Sequence, residues 1–594
     1  MKHSPFNHSH FIGYINQVTP QYVKVHFPSS VLMKSFTFYG EELKGGLVGN
    51  YVVIEGEKFG FLGKILELSL PEKERIELSE KSFNTKEFHP LGKIEILISF
   101  DLFNPTIIDK GLNSLPLIGS KVFICSSEFI SNYFKAFGVK EIHQGQAPTI
   151  HFGKLTYDKN TSIEISQQAL FGRHCAIVGT TGGGKSYTVS KLLEGIINNN
   201  SKAIIIDPTG EYHPFDTLSE VENAIISNPI YFHYTNLKVS DIFYLLRPSK
   251  QVQAPLLLEA IKSLKILSVL EKYTDGIEII KNEQSFSVKL KNGASADIKF
   301  SKGTLLKTGN LTQPFNTIYN KYLAEIESDS VNFDISKLSL QLYKECIYDV
   351  DRNDDSKFGL VNQNHLNNCT SLILRTNNLV NNPSFDSIFG FTSVPDKNEL
   401  INIIKAFVLP ESKTNVLRIG FENVSFDFQA REILANAIGS FLLSASRNNY
   451  FKINPLVLFV DEAHQFVNKK IKDEFFEAIE LNAFDIIAKE SRKYGLFLCI
   501  ATQMPRDIPI GTLSQIGTFI SHRLINYQDK EAIANACSTA NKDTLAFLPV
   551  LGSGEAILMG VDFPMPVMLK VDLPEIKPNS DTPLFTLKNS PQNF

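Results

Sequence analysis

Residues 171–195, "FGRHCAIVGTTGGGKSYTVSKLLEG", place Gly179, Thr180, Thr181, Gly182, Gly183, Gly184, Lys185 and Ser186 between an apolar run and a helical pattern. This is the G-x-x-x-x-G-K-[ST] spacing in its required strand-to-helix context. Glycines let backbone N–H groups close around an anion, Lys185 reaches the β- and γ-phosphates of ATP, Ser186 helps hold Mg²⁺, and Tyr187 continues the cradle. A second apolar run, "PLVLFVDEAHQF", ends in Asp461 and Glu462, where one acid holds Mg²⁺ and the next orients the attacking water. The tetrapeptide "DEAH" does not mark the helicases named after it, because there the acids follow the P-loop far sooner.

Further candidates close other runs. In "IIIDPTGEYHPF", Asp207 and Glu211 both suit a position facing the nucleotide; the competing reading is a turn chosen for its backbone angles. Gln503 ends the run "LFLCIATQ", where a γ-phosphate sensor belongs, and Arg492 precedes that run. Arg492 is either a solvated helix end or an arginine that reaches a γ-phosphate. Arg173 precedes its own strand and suits a contact with a neighbouring subunit. After the acid pair, Lys469, Lys470 and Lys472 either track nucleic-acid phosphates or form a solvated lysine run.

Positioning these residues needs a parallel sheet. "CAIVG", "AIIID", "LVLFVDEA", "LFLCIATQ" and "FISHRL" are compact apolar runs with polar ends, the pattern of strands covered on both faces, with ligands at their carboxyl ends. Val189, Leu192, Leu193, Ile196 and Ile197 recur along one face of the helix after the P-loop. The fold class is therefore α/β. Residues 1–160 read as a small β-barrel serving oligomerisation, 161–214 with 441–575 as the ATPase core, 215–440 as a mostly helical insertion with one hairpin turning at Asn292-Gly293, and 576–594 as an extended tail.

At 594 residues the chain exceeds one hydrophobic core, and 43% hydrophobic with 21% charged residues excludes disorder. Six scattered cysteines, no leader-like start and no long apolar run lead to the expectation of a cytoplasmic protein without membrane contact. A net charge of -4 gives no global attraction to nucleic acid, so any DNA contact must be focused, as in the lined channel of a ring.

The motifs "GRHCAIVGTTGGGKS", "IIIDPTGEY", "LFVDEAHQF", "ESRKYGLFLCIATQMPRDI" and "FISHRL", in that order, resemble the HerA family of the FtsK–HerA superfamily of DNA-pumping ATPases. The resemblance spans nearly the whole chain and implies a RecA-like core, a HAS-barrel-like N-terminal domain, a homo-hexameric ring, duplex DNA in its central channel and a nuclease partner. It implies that Lys185, Ser186, Asp461 and Glu462 bind and hydrolyse Mg-ATP with Asp207 close by, and that Gln503 senses the γ-phosphate. Arg173 and Arg492 would complete the site, one within its own subunit and one across the interface. Met504 and Arg506 stand where relatives often read Arg-Pro-Ser. Relatives of this size also occur beside effector enzymes in antiphage defence, so two functions follow: a DNA translocase working with an effector, or an ATP-binding scaffold that assembles and switches one.

Overall fold

The computed structural model describes residues 5–580 apart from 21, 31–34, 39–40, 45–47, 77–86, 103–107, 110–113, 137–146, 157–160, 228, 291–292, 468, 474–475, 538, 541 and 562. Near the N-terminus, strands Phe11–Val18, Tyr22–His26, Tyr51–Glu55, Phe59–Ser69, Leu91–Asp101 and Lys121–Ile124 pair antiparallel. The pairing of Tyr22–His26 with Leu91–Asp101 closes them into a six-stranded barrel, which removes free edges. Alternate residues such as Ile12, Val25, Val52, Ile54, Phe61 and Ile94 fill its interior. Their neighbours Val53, Leu62, Ile98, Phe100 and Phe123 share a second core with Ile150, Phe152 and Phe171, so the barrel docks by its outer face.

The main sheet has eleven strands. Seven are parallel, in the order Thr518–Ser521, Cys175–Val178, Leu496–Thr502, Leu456–Val460, Lys202–Asp207, Val416–Gly420 and Val221–Ile225. The five strands expected from the sequence are all among them. Ala176, Val178, Ile204 and Ile206 face one core, and Cys175, Ile177, Ala203 and Ile205 the other. This two-residue alternation explains why each run reads as continuously apolar. Helix Lys185–Asn198 covers one face through Val189, Leu192, Leu193 and Ile196, while helices Ala430–Arg447 and Ala483–Glu490 cover the other.

Four antiparallel strands extend the sheet beyond Thr518–Ser521: Glu555–Gly560, Phe563–Val571, Thr149–Leu155 and Ser162–Ser166. Thr149–Leu155 therefore lies in this sheet, ahead of the boundary drawn at residue 160. Val221–Ile225 and Val416–Gly420 lie in it as well, although the sequence reading placed them in the insertion. "VENAI" is a half-apolar edge strand, and Arg418 interrupts the second run. Between these two strands sit helices including Val239–Leu246, Gln253–Lys272 and Gln363–Val380, with a four-stranded antiparallel sheet. That sheet contains the expected hairpin, Ser285–Lys289 with Ser295–Ser301, though Asn292 of its turn lies outside the described residues. Ile576 and Asn579, placed in an extended tail, instead donate their amides to Glu194 and to the Glu211 carbonyl at 2.9 and 2.7 Å; residues 581–594 lie outside the described residues.

Candidate active site

Because the seven strands are parallel, their carboxyl ends meet along one edge of the sheet. That edge gathers the loop after Val178, the Asp207 turn, the acid pair after Val460, Gln503 after Thr502 and His522 after Ser521. Gly182 and Gly184 are left-handed, with φ of 73° and 114°, which a side chain would strain. A Cβ on Gly179 would meet the His522 Cβ at 2.6 Å, and one on Gly184 would lie 3.2 Å from the Gly554 Cα. The glycines are therefore required by close packing as well as by φ. Helix Lys185–Asn198 opens at this loop, and its first turn carries N–H groups without intrahelical partners, aimed where phosphates bind.

Lys185 is buried and reaches the Thr180 carbonyl at 3.3 Å. Burial lowers its pKa, opposed by Glu462, Asp461 and Glu211, so three carboxylates flank this one ammonium. Asp461 is pushed up to about 8 by burial first, then by Glu462 and Glu211. The Tyr212 hydroxyl donates to it at 3.1 Å. Glu462 is a non-glycine residue at φ 45°, held left-handed, a conformation that tends to cluster at functional sites. Thr181 donates its hydroxyl to Gln503 Oε1, and Gln503 donates from Nε2 to Glu462, linking the P-loop to the acid pair through Gln503. Glu211 has its pKa raised, by burial first, and its Oε2 is buried without a hydrogen-bond partner. Hard oxygens of Ser186, Asp461 and Glu211 around a site where carboxylates resist ionising fit Mg²⁺. The orphan N–H groups and Lys185 fit the phosphates of ATP.

His522 and Asp207 serve this edge from below. His522 Nδ1 lies 2.9 Å from the Glu555 carbonyl, which only accepts, so Nδ1 carries the proton and Nε2, at 2.8 Å, accepts from the Thr188 hydroxyl. Burial holds its pKa down at about 4, and the neutral ring braces the P-loop helix. Asp207 does not face the nucleotide. Its Oδ1 accepts the amides of Gly210 and Glu211, and its Oδ2 accepts the amide of Tyr212 and Arg418 Nη1 at 2.9 Å. Arg418, 1% exposed, also pairs with Asp216 and Glu422. The turn reading of this segment is thus the observed one for Asp207, and the residue the turn presents is Glu211.

Tyr187 is half-buried on the first turn of the P-loop helix. Arg173 and Arg492 stand at the opposite edge of the sheet, before the strands Cys175–Val178 and Leu496–Thr502. Four residues at about 3.3 Å each put about 13 Å of strand between Arg173 and its own P-loop, and the longer strand separates Arg492 further. The parallel sheet thus places both arginines toward the edge away from the P-loop of their own chain. Arg506 pairs within the chain with Asp529 at 3.2 Å. Lys469–Asp473 and Phe476–Leu481 form a hairpin after the acid pair, while the side chains of Lys469, Lys470 and Lys472 lie outside the described residues. Sequence reasoning missed Tyr212, His522 and Arg418; only His522 carried a signal, as the polar residue closing a buried strand.

A parallel sheet with a P-loop, a strand-end acid pair and a neighbouring strand-end glutamine defines a P-loop ATPase. Two family models match: "Helicase HerA, central domain" over residues 150–379 and "Helicase HerA-like C-terminal" over residues 452–577. The chain belongs to the HerA family and is an ATPase. It is 23% identical to the DNA double-strand break repair helicase HerA of Sulfurisphaera tokodaii, across 88% of each chain. It is 24% identical to the probable DNA double-strand break repair helicase HerA of Methanocaldococcus jannaschii, across 77% of this chain and 82% of that one. Among solved structures, VirB4 of Thermoanaerobacter pseudethanolicus matches with a TM-score of 0.41 at 13% identity, across 71% of this chain and 96% of that one. The plasmid coupling protein TrwB in complex with ADP and Mg²⁺ matches with a TM-score of 0.38 at 14% identity, across 70% of this chain and 88% of that one. No helix among the described residues is long and apolar enough to cross a membrane.

Proposed function

We propose that this chain assembles into a homo-hexameric ring, through its barrel and core, that hydrolyses Mg-ATP at subunit boundaries and moves duplex DNA through a central channel. A nuclease or other effector enzyme encoded nearby acts on that DNA, in end processing or in antiphage defence. In each subunit Lys185 and the P-loop amides hold the phosphates, Ser186 and Asp461 hold Mg²⁺, Glu462 orients water, and Gln503 senses the γ-phosphate. The observation that carries the reading is the placement of Arg173 and Arg492 on the edge opposite their own P-loop. A site rich in carboxylates suits completion by an arginine from a neighbour's amino-terminal edge, and such an arginine is worth about 10³–10⁵ in rate.

Two inactive variants test this. Glu462→Gln and Arg492→Ala are expected each to lack DNA-stimulated ATPase activity, and their mixture to regain part of it, because a wild-type Glu462 then meets a wild-type Arg492 across one boundary. A mixture as inactive as its components refutes the trans arrangement. If Glu462→Gln supports the co-purifying effector as well as wild type does, the ring is a switching scaffold instead of a motor.

A further inference from the structure

Tyr212 is 0% exposed, and its ring belongs to the core that also holds Phe171, Phe215 and Phe459. A phenylalanine would fill that space as well, so packing does not explain the hydroxyl. The hydroxyl donates to Asp461 Oδ2 at 3.1 Å, across 249 residues of chain. The other oxygen of that carboxylate, Oδ1, accepts the Glu462 amide at 2.9 Å, and the Asp461 amide donates to the Ile206 carbonyl at 3.2 Å. Both oxygens are therefore held, one by the next residue and one by Tyr212. Tyr212 is itself fixed from behind: its amide donates to Asp207 Oδ2 at 3.1 Å, and Arg418 clamps that same oxygen at 2.9 Å from the adjacent strand.

We propose that Tyr212 is a positioning residue of the ATP site: its hydroxyl fixes the orientation in which the Asp461 carboxylate meets the cation of Mg-ATP, and thereby makes the site prefer metal-loaded over metal-free nucleotide. An ionised carboxylate offers about four lone-pair sites. The Glu462 amide and the Tyr212 hydroxyl take one on each oxygen and set the plane of the group, which leaves one on each oxygen for the cation or a water of its hydration shell. Without the hydroxyl, the carboxylate is pinned at one oxygen and turns about its Cβ–Cγ bond. Groups that orient a metal ligand in this way change metal affinity by about 10–100-fold when removed. The inference rests on the proposed role of Asp461 in holding Mg²⁺ and adds a residue that the P-loop and acid-pair motifs do not contain. It also gives the Asp207–Arg418 pair, which does not face the nucleotide, a route to the site through one tyrosine.

Tyr212→Phe keeps the ring and removes the hydroxyl. Binding of a fluorescent ATP analogue is measured through a Mg²⁺ titration and in EDTA. The expected result is a half-saturating Mg²⁺ concentration raised about tenfold, with binding in EDTA unchanged. The same substitution made in Asp461→Asn should shift nothing further, because Tyr212 acts through that carboxylate. A packing role alone would weaken binding equally with and without Mg²⁺, and that outcome overturns the proposal, as does an unchanged Mg²⁺ requirement or a shift that persists in the Asp461→Asn background. Absence of nucleotide binding by the wild-type chain would overturn the ATP-site reading instead.

Discussion

Acid should loosen the P-loop through His522 by an amount the structure sets. His522 and His174 are both buried, with pKa held down at about 4 chiefly by desolvation, against about 6.5 in an unfolded chain. A depressed histidine contributes stability that is fully present above 6.5 and is lost as pH falls through 4. At pH 5 the unfolded imidazole is almost wholly protonated and the native one is not, which costs about 2 kcal/mol per histidine relative to pH 7.5. Asp461, pushed up to about 8, works the other way, because its protonated form suits the fold and stability returns as pH falls through that range. His522→Asn separates the terms: the amide nitrogen still donates to the Glu555 carbonyl, the Thr188 bond is lost, and the side chain no longer titrates. Hydrogen exchange of peptides covering residues 171–195, corrected for intrinsic rates, should show wild type losing about 2 kcal/mol more protection than the variant between pH 7.5 and 5. An equal loss in both proteins would refute a neutral, load-transmitting His522.

Three further outcomes follow from the same geometry. Arg418→Met should lower stability by about 3–5 kcal/mol, because Asp207 is left as an unpaired buried charge, and the loss should shrink in Arg418→Met with Asp207→Asn; thermal melts of the four proteins check it. Gly184→Ala, at φ 114°, should abolish nucleotide binding in fluorescence titration while leaving the far-UV spectrum intact, since the strain is confined to the loop. Lys185→Ala should remove ATP hydrolysis at every protein concentration, whereas wild-type activity per chain should rise with concentration as subunits meet.

The chemistry at the strand ends was legible because it is local. The P-loop, Asp461 with Glu462, and Gln503 each sit within a few residues of the apolar run that places them, and a parallel sheet brings such run ends to one edge whatever the intervening length. The barrel was legible for a similar reason, since its apolar runs survive as strands, buried at alternate residues through 91–97 and at every residue of 60–65, where both faces are covered. Even the placement of Arg173 and Arg492 was implicit, because residues that precede parallel strands lie at the edge away from a P-loop that follows one.

The tertiary structure decided which charges are spent on the fold and which face the site. Asp207 looked like a ligand of the nucleotide until Arg418, 211 residues away, took its oxygen. Arg418 in turn hid its strand from the sequence reading, because an arginine breaks an apolar run and is tolerated buried within a sheet only where carboxylates surround it. His522 meets Thr188 across 334 residues. Local pattern determines where a strand ends, but whether a buried charge or imidazole is compensated depends on partners from other strands, and those partners exist only once the sheet has assembled.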